Sequence, residues 1–351
     1  FQWIRVGWFQ GGSGHTGVET THATQRVEEE ALSWINARTE PWLAVVAFNA
    51  AHSTTGSFGD WGYDAVNKPA INPKTHIKTR TPALACLTTH TCPPATLKRQ
   101  VYQALVEDMD LKIEALLNGI DAKTLDDTLI LLFGDNGTPG QDNETASTVQ
   151  ESIFNVAGRG KATVYENGVR VPLIVADGKS WRRGIAGPTI TAPGRTVDVR
   201  VNILDIFNTL FTDANMFSLA NIDSMPFNQC FTTNDVYCGW TKRYGYTETF
   251  PSTVSPVPAN PSPNGAHVAV SWGEDTMVAH YNAAANKQCL EPEFYDTSTD
   301  PLETTKQIWP AARAQRLVDR FNFMHASVKS WAHPDLTQPV VPFCPYAVQL
   351  P

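Results

Sequence analysis

The sequence predicts an α/β fold: a mostly parallel sheet flanked by helices, followed by a smaller C-terminal antiparallel subdomain. Three observations carry this. The apolar run Leu129–Phe133 stops at Gly134-Asp135-Asn136-Gly137, as a buried strand does where an open α/β sheet presents ligands at its carboxyl ends. Before and after it, strand-like runs alternate with helix-period segments, the rhythm of a parallel sheet covered by helices. From about Phe217 the character changes to Pro-rich and short alternating stretches. The predicted division is an α/β core over residues 1–216 and a C-terminal subdomain over 217–351 with short antiparallel strands and a terminal helix.

Taken in order, residues 1–20 are rich in Gly and aromatics and read as loop. Ala23 to Arg38 reads as helix, with Val27, Ala31, Trp34 and Ile35 on one face. Trp42 to Asn49 is a continuous apolar run, the pattern of a strand buried on both faces. Residues 53–97 form a long Thr-, Pro- and Gly-rich excursion, of the kind that is functional or locally stapled. Leu97 to Ile120 is the clearest helix, with Tyr102, Leu105, Val106, Met109, Ile113, Leu116, Leu117 and Ile120 on one stripe. Strands follow at Thr128–Phe133 and Val171–Val175, and Val197 to Phe211 reads as an amphipathic helix.

Pro251–Pro263 cannot pack as a helix or inner strand. Beyond it, Ala266–Ser271 and Thr276–Tyr281 alternate on either side of Trp272-Gly273-Glu274-Asp275, which predicts a hairpin. Lys306 to Trp331 reads as a last long helix, with Pro310 tolerated near its first turn.

Composition excludes some functions. The 351 residues can bury a sizeable core, and 18% charged residues fit a globular chain with a fairly neutral surface. A net charge of −8 argues against nucleic acid as a partner. It still admits a small anionic ligand, because a local Lys can outweigh a distant acidic surface. No stretch approaches the ~20 apolar residues of a membrane span. The six cysteines fall as Cys86 and Cys92, Cys230 and Cys238, and the remaining Cys289 and Cys344. Pairing in that order is the simplest reading, although spacing alone leaves the connectivity open. With the glycosylation acceptor Asn143-Glu144-Thr145, this predicts a secreted, lumenal or periplasmic setting.

Asp135 and Asn136 both offer hard oxygens, the donors that suit Ca²⁺ or Mg²⁺. Downstream lies Lys161-Ala162-Thr163-Val164-Tyr165-Glu166-Asn167-Gly168-Val169-Arg170-Val171-Pro172. The tail carries Glu293-Phe294-Tyr295-Asp296, then Asp300-Pro301, then Glu303-Thr304. In this order the motifs resemble the sulfatases of the alkaline phosphatase superfamily, from about Thr21 to about Ala312. The resemblance implies that Asp135 and Asn136 help hold a divalent cation and that Lys161 contacts sulfuryl oxygens. It also implies that His52, after Ala47-Phe48-Asn49-Ala50-Ala51, assists proton transfer. Ala51 stands where the family usually has Pro, and Asn167 stands where it has Gly, which suggests a left-handed turn there. Glu166 and Arg170 are expected to form a structural ion pair.

The family's nucleophile motif, Cys- or Ser-x-Pro-x-Arg, is not found in these residues, nor are its paired Asp-Asp at a strand end and its Lys-x-His. Asp126-Asp127 precedes a strand instead of ending one, while Cys92-Pro93-Pro94 and Phe343-Cys344-Pro345 lack the Arg. The expectation is therefore a sulfatase-like metal-dependent hydrolase portion, which hydrolyses a sulfated small molecule or glycan when an N-terminal fragment or neighbouring chain completes the sheet and brings the nucleophile. One alternative is a catalytically inactive extracellular glycoprotein on the same scaffold. The other is a phosphodiesterase or phosphonate hydrolase of the same superfamily.

Overall fold

The computed structural model describes residues 3–10, 13–19, 23–39, 41–48, 50–51, 94–137, 159–161, 163–214, 224–233, 238, 243–249, 267–280 and 292–329. The chain divides into two compact units, 1–127 with 147–149, and 128–146 with 150–351.

The first unit opens with a hairpin where the sequence reads as loop. Strands β1 (Trp3–Gln10) and β2 (Ser13–Glu19) pair antiparallel, with Gln10 opposite Ser13 and a register shift between Val6 and Trp8. Two glycines connecting two alternating runs are a hairpin signal in their own right. A glycine within a strand, here Gly7, is where a bulge forms. Helices α1 (Ala23–Asn36) and α2 (Pro94–Gly119) pack together. Leu32 lies so close to Gly119 that an added Cβ would come within 2.5 Å of it, and the Asn36 amide donates to the Gly119 carbonyl at 3.1 Å. Ile35, Leu116, Leu117 and Ile120 of the predicted faces are buried, whereas Val106 is exposed. A short helix, α3 (Ala122–Asp126), is capped by Asp121, which accepts from the backbone N–H of Lys123 and Thr124.

The strand expected at Trp42–Asn49 does not form a ladder. Residues 41–48 are assigned to no strand, with Leu43 and Val45 66% and 85% exposed. An apolar run becomes a strand only when a neighbour supplies the matching N–H and C=O groups.

In the second unit, β3 (Leu129–Phe133) pairs with β4 (Leu173–Asp177). This ladder is antiparallel, as is every other ladder among the described residues; the expected parallel sheet is not seen there. The chain leaves β3 and re-enters β4 at the same end, where Gly134 N–H donates to the Pro172 carbonyl, so the two strands must run in opposite directions. A capping box follows at the head of α5 (Gly178–Arg183), with α4 (Glu166–Val169) lying between the strands in sequence.

Residues 197–202, expected as helix, form none, and helix α6 begins only at Leu204 and ends at Asp213. Val197, Val199 and Val201 alternate with Asp198 and Arg200, a period of two that outweighs the weaker helical pattern. These valines, Ile206 and one face of β3 and β4 (Leu129, Leu131, Leu173, Val175) pack on Ile190, Phe227, Phe231 and the Cys230–Cys238 disulfide. That disulfide matches the expected pair, with Cα atoms 4.8 Å apart. Cys230 lies in α7 (Gln229–Thr232). The remaining cysteines, Cys86, Cys92, Cys289 and Cys344, lie outside the described residues.

The C-terminal sheet has the order β5 (Tyr244–Thr249), β6 (His267–Trp272), β7 (Asp275–His280), β8 (Glu293–Asp296). The predicted hairpin is its centre, turning at Gly273 with φ of 62°. Its final helix α8 spans Ala311–Lys329, starting later than expected. Pro310 sits just before it and its carbonyl accepts from Arg313 and Ala314 N–H. Having no N–H and restricting the residue before it, proline belongs at this boundary. Val268, Val270, Met277 and Phe294 bury against Ala314, Leu317, Val318 and Phe321 of α8.

Candidate functional site

The end of β3 carries the two predicted metal donors. Asp135 and Asn136 are both exposed. Asp135 Oδ1 accepts from Asn136 N–H at 2.8 Å, and the Asn136 amide nitrogen donates to the Gly137 carbonyl at 3.0 Å. These local bonds fold the pair into a turn in which Asp135 Oδ2 and Asn136 Oδ1 are not used.

A second loop lies against this turn. Gly137 N–H donates to the Gly168 carbonyl at 2.9 Å. The approach is so close that a Cβ on Gly137 would come within 1.8 Å of the Asn167 carbonyl oxygen, and one on Gly168 within 2.5 Å of the Gly160 carbonyl oxygen. Only glycine permits such backbone contact. Lys161 belongs to the same loop, just before Thr163, whose N–H and hydroxyl both bond the Gly160 carbonyl. Lys161 is half-buried and makes no salt bridge among the described residues. The structure thus brings the Asp135-Asn136 turn and the Lys161 loop side by side. His52 and Asn143 lie outside the described residues.

The donor chemistry of Asp135 and Asn136 fits a hard cation, yet two side chains supply fewer oxygens than Ca²⁺ or Mg²⁺ takes. No group of three or more His, Cys, Asp or Glu side chains comes together among the described residues.

Behind the loop sits a polar network that the sequence concealed. Val164 and Tyr165 pack on Ala269, Val278 and Tyr295 of the C-terminal sheet. Tyr165 and Tyr295 both donate to Glu293 Oε2 at 2.7 Å, and Lys306 pairs with the other oxygen of that carboxylate. Burial, then the bond to Glu293, pushes both phenols well above the ordinary tyrosine range. Arg159 stacks on both rings and donates to Tyr295 Oη at 3.0 Å.

Glu166 is buried and forms the expected ion pair with the exposed Arg170, at 3.9 Å. Arg200 lies closer, at 3.1 Å, and also donates to the Gly273 carbonyl. Asn167 lies within α4 and so needs no left-handed backbone, contrary to expectation. Asp126 ends α3, ahead of β3, where the sequence placed it. Arg200 carried no sequence signal of a role here, whereas Glu303 stood in the tail motif without its partner being legible.

The sulfatase family model matches residues 5–216. Human steryl-sulfatase is 25% identical over 189 residues, which is 53% of this chain and 25% of that protein. Solved structures share the fold. One, from a Bacteroides thetaiotaomicron locus that orchestrates metabolism of multiple glycosaminoglycans, superposes with a TM-score of 0.55 at 15% identity, over 92% of this chain and 62% of the other. A candidate sulfatase from Bacteroides fragilis gives 0.56 at 13% identity, over 93% and 62%. A third protein, solved with its substrate D-glucosamine-2-N,6-O-disulfate, gives 0.54 at 17% identity, over 93% and 72%. The chain spans about a quarter of the length of the curated relative.

Proposed function

The chain belongs to the sulfatase family, and on that premise we propose that it carries the ester-binding part of a sulfuric-ester hydrolase site. One observation supports this most. The Gly137-to-Gly168 hydrogen bond holds the Asp135-Asn136 turn against the Lys161 loop at the end of β3. In this reading Asp135 and Asn136 supply oxygens to a Ca²⁺ or Mg²⁺ ion, and their exposure leaves them open to it. Such an ion, when bound, neutralises charge on ester oxygens. Lys161 meets the sulfuryl oxygens as a compact point charge, and His52 exchanges a proton with the leaving group.

No residue of the chain is assigned as the nucleophile. Turnover in this reading requires an N-terminal region bearing the formylglycine, which supplies the covalent step. The substrate class is a sulfated small molecule or glycan. A secreted or lumenal setting is supported by the Cys230–Cys238 disulfide. Among the described residues no helix is long and apolar enough to cross a membrane.

The test is aryl sulfate hydrolysis by the chain, with and without an N-terminal sulfatase region carrying Cys- or Ser-x-Pro-x-Arg, each with and without Ca²⁺. Turnover is expected only in the complemented sample with metal. It should fall by about 10²–10³ in Lys161→Ala and in Asp135→Ala, the size of effect of removing one charge-stabilising group. Silence of the complemented sample overturns the enzyme reading and leaves a structural glycoprotein. Faster turnover of a phosphate diester or phosphonate than of a sulfate ester would assign the chain to that other hydrolase class.

A further inference from the structure

We propose that Arg159 is the positioning residue of the Lys161 turn, the side chain through which the C-terminal sheet fixes where that lysine stands. Lys161 belongs to no helix or strand, so no backbone ladder holds it. Its turn is closed locally. Thr163 N–H donates to the Gly160 carbonyl at 3.1 Å and the Thr163 hydroxyl donates to it at 2.6 Å, which makes Lys161 the second residue of a four-residue turn. The turn rests on Gly168, where a Cβ would come within 2.5 Å of the Gly160 carbonyl oxygen and 2.6 Å of the Thr163 one. These contacts set the shape of the turn. Its direction depends on the chain to either side, because a closed turn swings as a unit unless its flanks are pinned.

One guanidinium pins both flanks. Arg159, just before the turn, lies 4.1 Å over the centroid of the Tyr165 ring, just after it, and 5.0 Å over that of Tyr295. Its Nη2 donates to Tyr295 Oη at 3.0 Å. Tyr295 is fully buried and sits in β8, opposite Thr276 of β7. Glu293 Oε2 accepts from both phenols at 2.7 Å, which keeps the two rings in place around the guanidinium. Two residues of chain reach at most about 7 Å, so Lys161 moves little once Arg159 is held. A guanidinium suits the task because it is planar and always charged, stacking on rings through its face while its fork donates in the plane. Stacking and hydrogen bond act in different directions and together fix both place and tilt.

The consequence for turnover rests on the sulfuric-ester reading, in which Lys161 meets the sulfuryl oxygens; the placement of Lys161 does not. A point charge stabilises a transition state only from the right distance, and a misplacement of about 1 Å can cost on the order of 100-fold in rate. Arg159 acts through Lys161, so its removal should matter to turnover only while that lysine is present.

The experiment has two arms, both on the full chain. The first is acylation by acetic anhydride at fixed pH, read residue by residue by mass spectrometry, with Lys179 of α5 as the internal control because it too is half-buried. Arg159→Met keeps a stem against the rings and removes the fork. It should raise the reactivity of Lys161 relative to Lys179 by about tenfold, the equivalent of one lost charge-assisted hydrogen bond. Tyr295→Phe keeps the ring and removes only the hydroxyl. It should give a smaller rise in the same direction, which keeps the test decisive even if Arg159→Met fails to fold. The second arm measures kcat on para-nitrophenyl sulfate with the N-terminal sulfatase region and Ca²⁺ added. Arg159→Met should lower it by about 100-fold, yet by less than about twofold further when Lys161→Ala is already present. Unchanged Lys161 reactivity, an equal rise at Lys179, or losses that simply multiply in the double variant would each overturn the proposal. If the complemented wild type is silent, the enzyme reading falls and the acylation arm alone decides this one.

Discussion

The two sheets of the second unit are covered differently. In the C-terminal sheet, Val268 and Val270 of β6 face α8, while Ala269 and Val278 on the opposite face pack under Val164 and Tyr295. Among the described residues, the β3–β4 pair packs one face, through Leu129, Leu131, Leu173 and Val175. Its other face leaves Leu132 and Ile174 exposed, the latter by 58%, and Phe133 at its end is exposed as well. Yet β3, Leu-Ile-Leu-Leu-Phe, is the more apolar strand, and β6 contains His, Ser and Trp. Burial here follows from what lies across each face, and the apolar content of a strand is a poor guide to it.

That contrast can be broken most forcefully at α6, which backs the covered face of β3–β4. Asp205 is fully buried and accepts from Arg243 at 2.7 and 3.2 Å, as well as from Asn202 and Met225 N–H. Asp205→Ala removes the acceptor from this buried pair and should cost about 3–5 kcal/mol in urea unfolding. A loss below ~1 kcal/mol would mean the one-sided sheet does not rely on this anchor. Leu317→Ala probes the two-sided sheet. Leu317 is fully buried beneath β6, and its truncation should cost about 3 kcal/mol, with an unchanged m-value. Reducing Cys230–Cys238 releases the staple in the core under β3–β4. A loop this short predicts a loss of roughly 2 kcal/mol, read as a drop in Tm on adding reductant.

Asp177 closes β4 and caps α5. Burial works against its ionisation, but N–H bonds from Ile190, Ser180 and Thr189 outweigh it and hold the carboxyl below 3.8. Its contribution is present above that value and disappears as the pH falls through the lower folded one. Asp177→Ala should therefore cost about 1 kcal/mol at neutral pH and flatten the acid limb of the stability profile. The smallest effect belongs to the open face. Ile174→Ala should stay within about 0.5 kcal/mol of wild type. A larger loss would show that something covers that face in solution.

Much of the local architecture was legible. Gly273 between two alternating runs marked a hairpin because a tight turn needs its positive φ. The closely spaced Cys230 and Cys238 marked a staple. Even the missed N-terminal hairpin had its Gly-Gly signal. The helix expected over Val197–Phe211 shows where reading fails. Val197, Val199 and Val201 fit a strand period and Leu204 onward fits a helix, and one window blended the two.

The sequence by itself determined the family, the turn at Asp135-Asn136, the loop motif through Lys161 and the hairpin near the C-terminus. Each depends on residues adjacent along the chain, where backbone preference and short-range hydrogen bonds decide the outcome. Tertiary structure alone decided the direction of the β3–β4 ladder, the open face of β3 and the partnership of Glu166 with Arg200 and Glu303. Those features depend on groups 34 to 137 residues apart. Their energies come from burial and charge proximity, which no stretch of neighbouring residues contains.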